Sequence, residues 1–271
     1  MDSELMRLER KGHVTVVTIN RPERRNAFNE AMFKRIGLIA QELRAKPPRA
    51  VVITGAGDSA FSAGFDVNPD NPMLDNIIKA MSTGDREPSK KLIRDIRMAI
   101  DTFVTVPVPI IAAMNGLAYG GGAELSVRCD LRVMDPEAVI CFSEVRLGLM
   151  PDWGGGPALA RLIGPSRAAD LVLTARKVAA EEALGMGLVN RVSQKGKALD
   201  EAIALAESIA ENGPRAVRSA LSLFREAQNV PYSAMLDKEE ELATALISSG
   251  ECVHGVGAFL EKKKPEFPDI T

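Results

Sequence analysis

Apolar and polar positions alternate along His13 to Asn20 (HVTVVTIN), the period of a β-strand with its faces in different surroundings. Arg21-Pro22 ends that run. The spacing then changes: Phe33, Ile36, Ile39, Ala40 and Leu43 fall on one side of a helix predicted from about Glu30 to Lys46. Asn29 is its N-cap, and Pro47-Pro48 closes it. Ala50 to Gly55 (AVVITG) is continuously apolar, as expected of a parallel strand covered on both faces. Pro109 to Asn115, Leu131 to Met134 and Val139 to Phe142 read as further strands, and Ala123 to Arg128 as a helix. Strands alternating with helices predict an α/β fold built from right-handed crossover units.

The pattern shifts along the second half. From Gly155 onward it is mostly helical, broken at Gly164-Pro165, Gly185, Gly187, Gly213-Pro214 and Pro231. Leu188 to Val192 reads as one short strand, Pro214 opens a helix running to about Gln228, and a last helix spans about Glu251 to Lys263. The change is complete near residue 195, which divides the chain into 1–195 and 196–271. Residues 67–91 are rich in Asp, Asn, Pro, Ser and Gly and form either a lid beside a site or a surface helix with loops.

Composition narrows the function. The chain has 271 residues, a formal net charge of −2 and 46% hydrophobic residues, enough for one large α/β domain. There is no basic surplus, and aromatics make up only 4%, so nucleic-acid binding is not expected. The first residues, MDSELMRLERKG, are charged and lack the apolar stretch of a secretory signal. No run approaches the roughly 20 apolar residues of a membrane span. Cys129, Cys141 and Cys252 are scattered and form no CxxC, so the expectation is ordinary thiols in a reducing, cytoplasmic setting, with no metal site. His13 and His254 lie near no nucleophile motif.

The chemistry concentrates elsewhere. Tyr119-Gly120-Gly121-Gly122-Ala123-Glu124 places a triple glycine between a strand and a helix start. Backbone N–H groups there are free, and the helix dipole favours negative charge. Glu144 supplies a second acid, and Asp152 a third, ahead of Gly154-Gly155-Gly156. Free donors and carboxylates are the parts needed to stabilise an oxyanion and move protons. Phe61-Ser62-Ala63-Gly64-Phe65-Asp66 follows the Ala50–Gly55 strand, where ligands gather in α/β sheets; it either offers the Phe65 N–H as another donor or packs its rings into the core. Gly55-Ala56-Gly57-Asp58-Ser59-Ala60 mimics a dinucleotide fingerprint, but no helix or distal acid follows it.

These segments together resemble the crotonase superfamily, the enoyl-CoA hydratases and isomerases. The matching pieces are Asn20-Arg21-Pro22, Arg25-Asn26-Ala27-Phe28, Ala50–Gly55, Ala63-Gly64-Phe65-Asp66, Asn115 to Glu124, Cys129-Asp130, Glu144 to Pro151, and Ala258-Phe259-Leu260-Glu261-Lys262. Their order holds over nearly the whole chain. The resemblance implies a spiral of ββα repeats over residues 1–195 and a helical oligomerisation region over 196–271, assembled as a homotrimer or dimer of trimers. It implies an acyl-CoA substrate of fatty acid metabolism and no separate cofactor, coenzyme A being carried by the substrate. The Phe65 and Gly121 N–H groups would form the oxyanion hole, and Glu124 and Glu144 would be the catalytic acids. Arg25, Ala27, Ala63, Phe65, Asp66 and Gly121 match segments that hold coenzyme A and substrate, and Phe259 and Lys262 match C-terminal positions that complete such a site.

The implied reaction is reversible hydration of a trans-2-enoyl-CoA. Two features depart from the hydratase pattern. Ser143 precedes Glu144 where many hydratases have Pro, and Asp152 stands where they have a small residue. The acid at 152 resembles enoyl-CoA and dienoyl-CoA isomerases, so a double-bond isomerase using Asp152 and Glu144 is the alternative. A non-catalytic acyl-CoA-binding protein on the same scaffold is a third reading.

Overall fold

The computed structural model describes residues 2–227 and 230–270. In chain order its elements are α1 (Asp2–Leu5), β1 (Met6–Lys11), β2 (Val14–Ile19), α2 (Glu30–Ala45), β3 (Ala50–Gly55), β4 (Ala60–Ser62), α3 (Leu74–Thr83), α4 (Glu87–Val104), β5 (Ile110–Met114), β6 (Leu117–Tyr119), α5 (Gly121–Arg128), β7 (Leu131–Met134) and β8 (Val139–Cys141). There follow α6 (Gly155–Ile163), α7 (Pro165–Thr174), β9 (Val178–Ala179), α8 (Ala180–Gly185), β10 (Arg191–Val192), α9 (Ala198–Ala210), α10 (Pro214–Glu226), α11 (Tyr232–Ser248) and α12 (Glu251–Leu260). The expected end of the Pro214 helix at Gln228 lies outside the described residues. No helix among them is long and apolar enough to cross a membrane.

Two sheets share the strands. One has the order β1-β2-β3-β5-β7-β10, with β2 through β10 parallel and β1 antiparallel at its edge. The other has the order β4-β6-β8-β9, with the first three parallel. The chain fills them by repetition. β3, β5 and β7 enter the large sheet, and the strand after each, β4, β6 and β8, enters the small one. Helices then return the chain: α3 and α4, then α5, then α6 and α7. This is the ββα spiral that the resemblance implies.

The apolar run of β3 is explained by burial on both faces. Val51 and Ile53 join the main core with α2, α4 and α5, while Ala50 and Val52 face Ala202 and Ala206 of α9 on the other side. β5 divides likewise, Ile110, Ala112 and Met114 against Ile111 and Ala113. Side chains alternate across a strand, so a run with no polar face needs a cover on each side. The Asn29 cap is in place, its side chain accepting from the Met32 N–H. Residues 67–91 form α3 and the start of α4, with Pro88 in the first turn of α4. Leu92, Ile96, Ile100, Phe103 and Val104 bury one face of α4.

Candidate active site

The strands of the small sheet end side by side, and each hands its next residues to one place. After β4 comes Phe65, after β6 Gly121, after β8 Glu144. Phe65 forms an isolated parallel bridge with Phe28. The Phe28 N–H donates to the Gly64 carbonyl (2.7 Å), and the Asp66 N–H donates to the Phe28 carbonyl (2.9 Å). In a trans peptide the C=O and N–H point oppositely, so pinning the Gly64 carbonyl toward Phe28 turns the Phe65 N–H the other way. Gly64 has φ +84°, and a Cβ on it would lie 2.7 Å from the Gly121 nitrogen. Only glycine lets these two backbones meet. The Gly121 N–H, at the start of α5, is one of the helix's unpaired donors. Among the described residues neither the Phe65 nor the Gly121 N–H has an acceptor.

The acids differ in surroundings. Glu124, in the first turn of α5, is buried, and its carboxylate holds the 152–155 loop. Oε1 accepts from the Asp152 N–H (3.1 Å), and Oε2 from the N–H groups of Trp153 (2.9 Å) and Gly155 (2.8 Å). A Cβ on Gly155 would lie 2.4 Å from the Glu124 Cβ, so a larger residue would break this approach. One turn further along α5, Arg128 donates to the Trp153 carbonyl (2.8 Å) and pairs with Asp101 of α4 (2.7 Å). α5 thus grips one loop through both its N–H and its C=O groups.

Glu144 opens a 3₁₀ turn and is buried, yet neither of its carboxylate oxygens has a hydrogen-bond partner among the described residues. Its Oε1 lies 3.7 Å from where a Gly120 Cβ would sit, next to the Gly121 donor. Burial, then the Glu144 charge, pushes the Glu124 carboxyl up to about 8, against the pull of the loop N–H groups. Burial likewise raises Glu144 and Asp152. Such a pair titrates as a unit, and near neutral pH it holds a proton that isolated carboxylates would have lost.

Trp153 is a residue of this neighbourhood that the sequence pattern does not single out. It is 2% exposed, and its indole covers Gly121: a Cβ there would lie 2.5 Å from the ring. It meets Phe28 (5.6 Å, 72°) and Phe33 (5.1 Å, 73°) edge to face. This apolar wall lowers the local dielectric beside the two N–H groups, which would strengthen their interaction with a negative charge placed there. The only signal available in the sequence was the chain's single Trp standing between an acid and a glycine run.

The structure brings most of the expected residues together. The Ala63 N–H donates to the Arg25 carbonyl (2.9 Å), and Ala27 lies beside the Phe28–Phe65 bridge, so Arg25, Ala27, Ala63, Phe65 and Gly121 line one neighbourhood with Glu124, Glu144 and Asp152. Asp66 is there too, but its carboxylate faces inward: Oδ2 accepts from Arg21 (2.5 Å), and Oδ1 from Asn68. Burial pushes its pKa up, but the Asn68 and Arg21 hydrogen bonds outweigh this and hold it below the usual carboxylate range. Phe259 is 81% exposed, and no hydrogen bond, ion pair or ring contact ties it or Lys262 to the cluster among the described residues.

The chain is similar to known proteins over nearly its whole length. The family model for enoyl-CoA hydratase/isomerase matches residues 9–270. A Thermus thermophilus protein provisionally named as an enoyl-CoA hydratase is 39% identical over 261 residues, covering 95% of this chain and 98% of that one. The short-chain-enoyl-CoA hydratase of Clostridium acetobutylicum is 34% identical over 260 residues, covering 96% and 95%. The crystal structure of a Bacillus anthracis enoyl-CoA hydratase superposes with a TM-score of 0.87 at 32% identity, covering 97% of this chain and 98% of that one. The chain belongs to the enoyl-CoA hydratase/isomerase family, within the crotonase superfamily.

Proposed function

We propose that this protein catalyses the reversible syn-hydration of a trans-2-enoyl-CoA to a 3-hydroxyacyl-CoA. The observation that carries the reading is the pair of N–H groups, Phe65 and Gly121, set beside the buried Glu144 carboxylate, all without partners among the described residues. The thioester carbonyl accepts from both N–H groups, and these bonds strengthen as the enolate forms, which lowers the barrier. The coupled pair holds one proton between its two acids, and in the reacting form that proton is on Glu144, which gives it to C2. Glu124 orients the water: its Oε2 is filled by two loop N–H groups, while Oε1 takes one and keeps a lone pair for a water proton. The water oxygen bonds to C3 as its proton passes to Glu124. Exchange between the coupled acids resets the pair.

Arg25, Ala27, Ala63 and the backbone near Phe65 and Asp66 hold the coenzyme A portion. Phe259 and Lys262 complete that site from a neighbouring copy in a homotrimer or dimer of trimers. Exposed Phe224, Tyr232, Ile247, Val253, Phe259 and Leu260 on α10 to α12 support the assembly. The test is an assay of the purified protein, which is expected to consume crotonyl-CoA and yield 3-hydroxybutyryl-CoA, identified by mass spectrometry, with the activity lost in Glu144→Gln. Turnover of a 3-enoyl-CoA with no crotonyl-CoA hydration would overturn the reading. In that outcome Asp152, half-buried and electrostatically coupled to both glutamates, is the second acid of an isomerase, and Asp152→Asn is the damaging change.

A further inference from the structure

We propose that Arg21 and Asp66 are positioning residues for the oxyanion hole, acting through the direction of the Phe65 N–H. The inference rests on the function proposed above. It starts from how little regular structure holds that donor. Gly121 sits at the start of a helix, and its N–H direction follows from helix geometry. Phe65 lies on a bridge of one residue, with two backbone hydrogen bonds to Phe28. Rotation of the Gly64–Phe65 peptide would swing the N–H away from Gly121.

The Arg21 guanidinium spans that bridge. Nη1 donates to the Ala27 carbonyl (3.2 Å) on one strand and to the Asp66 Oδ2 (2.5 Å) on the other. Ala27 precedes Phe28 and Asp66 follows Phe65, so one nitrogen of one side chain ties the two strands together at the bridge. Arg21 is itself held, its N–H donating to the Asn26 Oδ1 (2.9 Å), while Asn26 Nδ2 donates to Ala56 and Ala60 carbonyls (3.0 and 2.7 Å). The Asp66 side chain is 1% exposed and that of Arg21 12%, so water competes little for the pair. Asp66 oxygens are occupied by Arg21 and by the Asn68 N–H and Nδ2. This leaves the carboxylate without a free face for coenzyme A and gives it an internal task.

A donor displaced by about 1 Å forfeits much of its transition-state stabilisation, because the charge it serves is localised. The effect falls on kcat, since ground-state binding uses the rest of the coenzyme A contacts. The test measures Asp66→Asn and Arg21→Lys against wild type in two ways. Isotope-edited infrared spectroscopy of a bound, non-reacting acyl-CoA analogue, ¹³C-labelled at the thioester carbonyl, reads polarisation directly. Steady-state kinetics with crotonyl-CoA read its consequence. Wild type lowers the carbonyl frequency. Asp66→Asn loses most of that shift, with kcat down about 10- to 100-fold and KM within about threefold. Arg21→Lys keeps the charge but loses the planar head and the reach that set Nη1 between the two acceptors, and falls between. If both variants bind the analogue with the full wild-type shift, the pair is merely structural and the inference is overturned. If wild type itself shows no shift, the functional reading fails first, and the inference with it.

Discussion

The two ends of this molecule solve the problem of apolar surface in opposite ways. Across the ββα spiral every large apolar side chain of β3 and β5 is covered on both faces within one chain. Across α10, α11 and α12 several large apolar residues point out: Phe224 is 70% exposed, Tyr232 79% and Phe259 81%. A self-sufficient core can carry a site whose parts are internal, such as buried carboxylates and backbone donors. The helical end has surplus apolar area, which suits association. Changes in the spiral are therefore expected to alter chemistry, and changes in the helices to alter assembly.

The largest effect tests the spiral. Glu144→Gln is expected to lower crotonyl-CoA turnover about 1000-fold, as for loss of a general acid, with oligomeric mass unchanged. The same substitution has a stability signature. Burial raises the Glu144 pKa above its ordinary value, so between that value and the raised one the native state binds more protons than the unfolded state. Stability is then lost as pH rises through this window, and removing the acid relieves the loss. Urea midpoints at pH 5 and pH 8 should converge in the variant relative to wild type.

Next comes the helical end. Ile247→Asp, at a position 67% exposed on α11, is expected to shift the mass by light scattering toward the monomer, leaving the far-UV circular dichroism unchanged. An unaltered mass would show that α11 does not carry the interface. A smaller effect returns to the site. The charge of Asp152 raises the pKa of Glu124 and Glu144, so Asp152→Asn should move the alkaline limb of the kcat profile to lower pH. A limb that stays in place would separate Asp152 from the pair electrostatically. The smallest effect stays within the helical end. Glu251 of α12 accepts from the Arg215 and Ala216 N–H groups (2.9 and 2.8 Å) at the start of α10. Glu251→Ala is expected to cost about 1–2 kcal/mol of stability in a urea titration while sparing turnover per active site.

Local pattern carried the elements it governs. β2, α2, β3 and β5 were legible because burial on a fixed face imposes a period, and the Asn29 cap was legible from residue type. α4 was not, because Lys90, Lys91, Arg94, Asp95 and Arg97 break up the apolar residues that it buries along one stripe. Site residues followed the same rule. The glycines announced themselves through composition, whereas Glu124's grip on the 152–155 loop joins groups far apart in sequence. The same holds for Arg21 and Asp66: the sequence marks both as parts of matching motifs, but their ion pair forms only when the β2–α2 connection crosses the end of β4.

The stacking of Phe65, Gly121 and Glu144 after neighbouring strands has a consequence for how the protein tolerates change. Adjacent strands sit about 4.8 Å apart, so the pitch of the spiral acts as the ruler that would space two donors and an acid along the ligand of the proposed reaction. Insertions in the outer helical returns leave that ruler intact. A single residue added between β4 and Phe65, or between β6 and Gly121, would shift one mark on it and leave a well-folded protein that measures the wrong molecule.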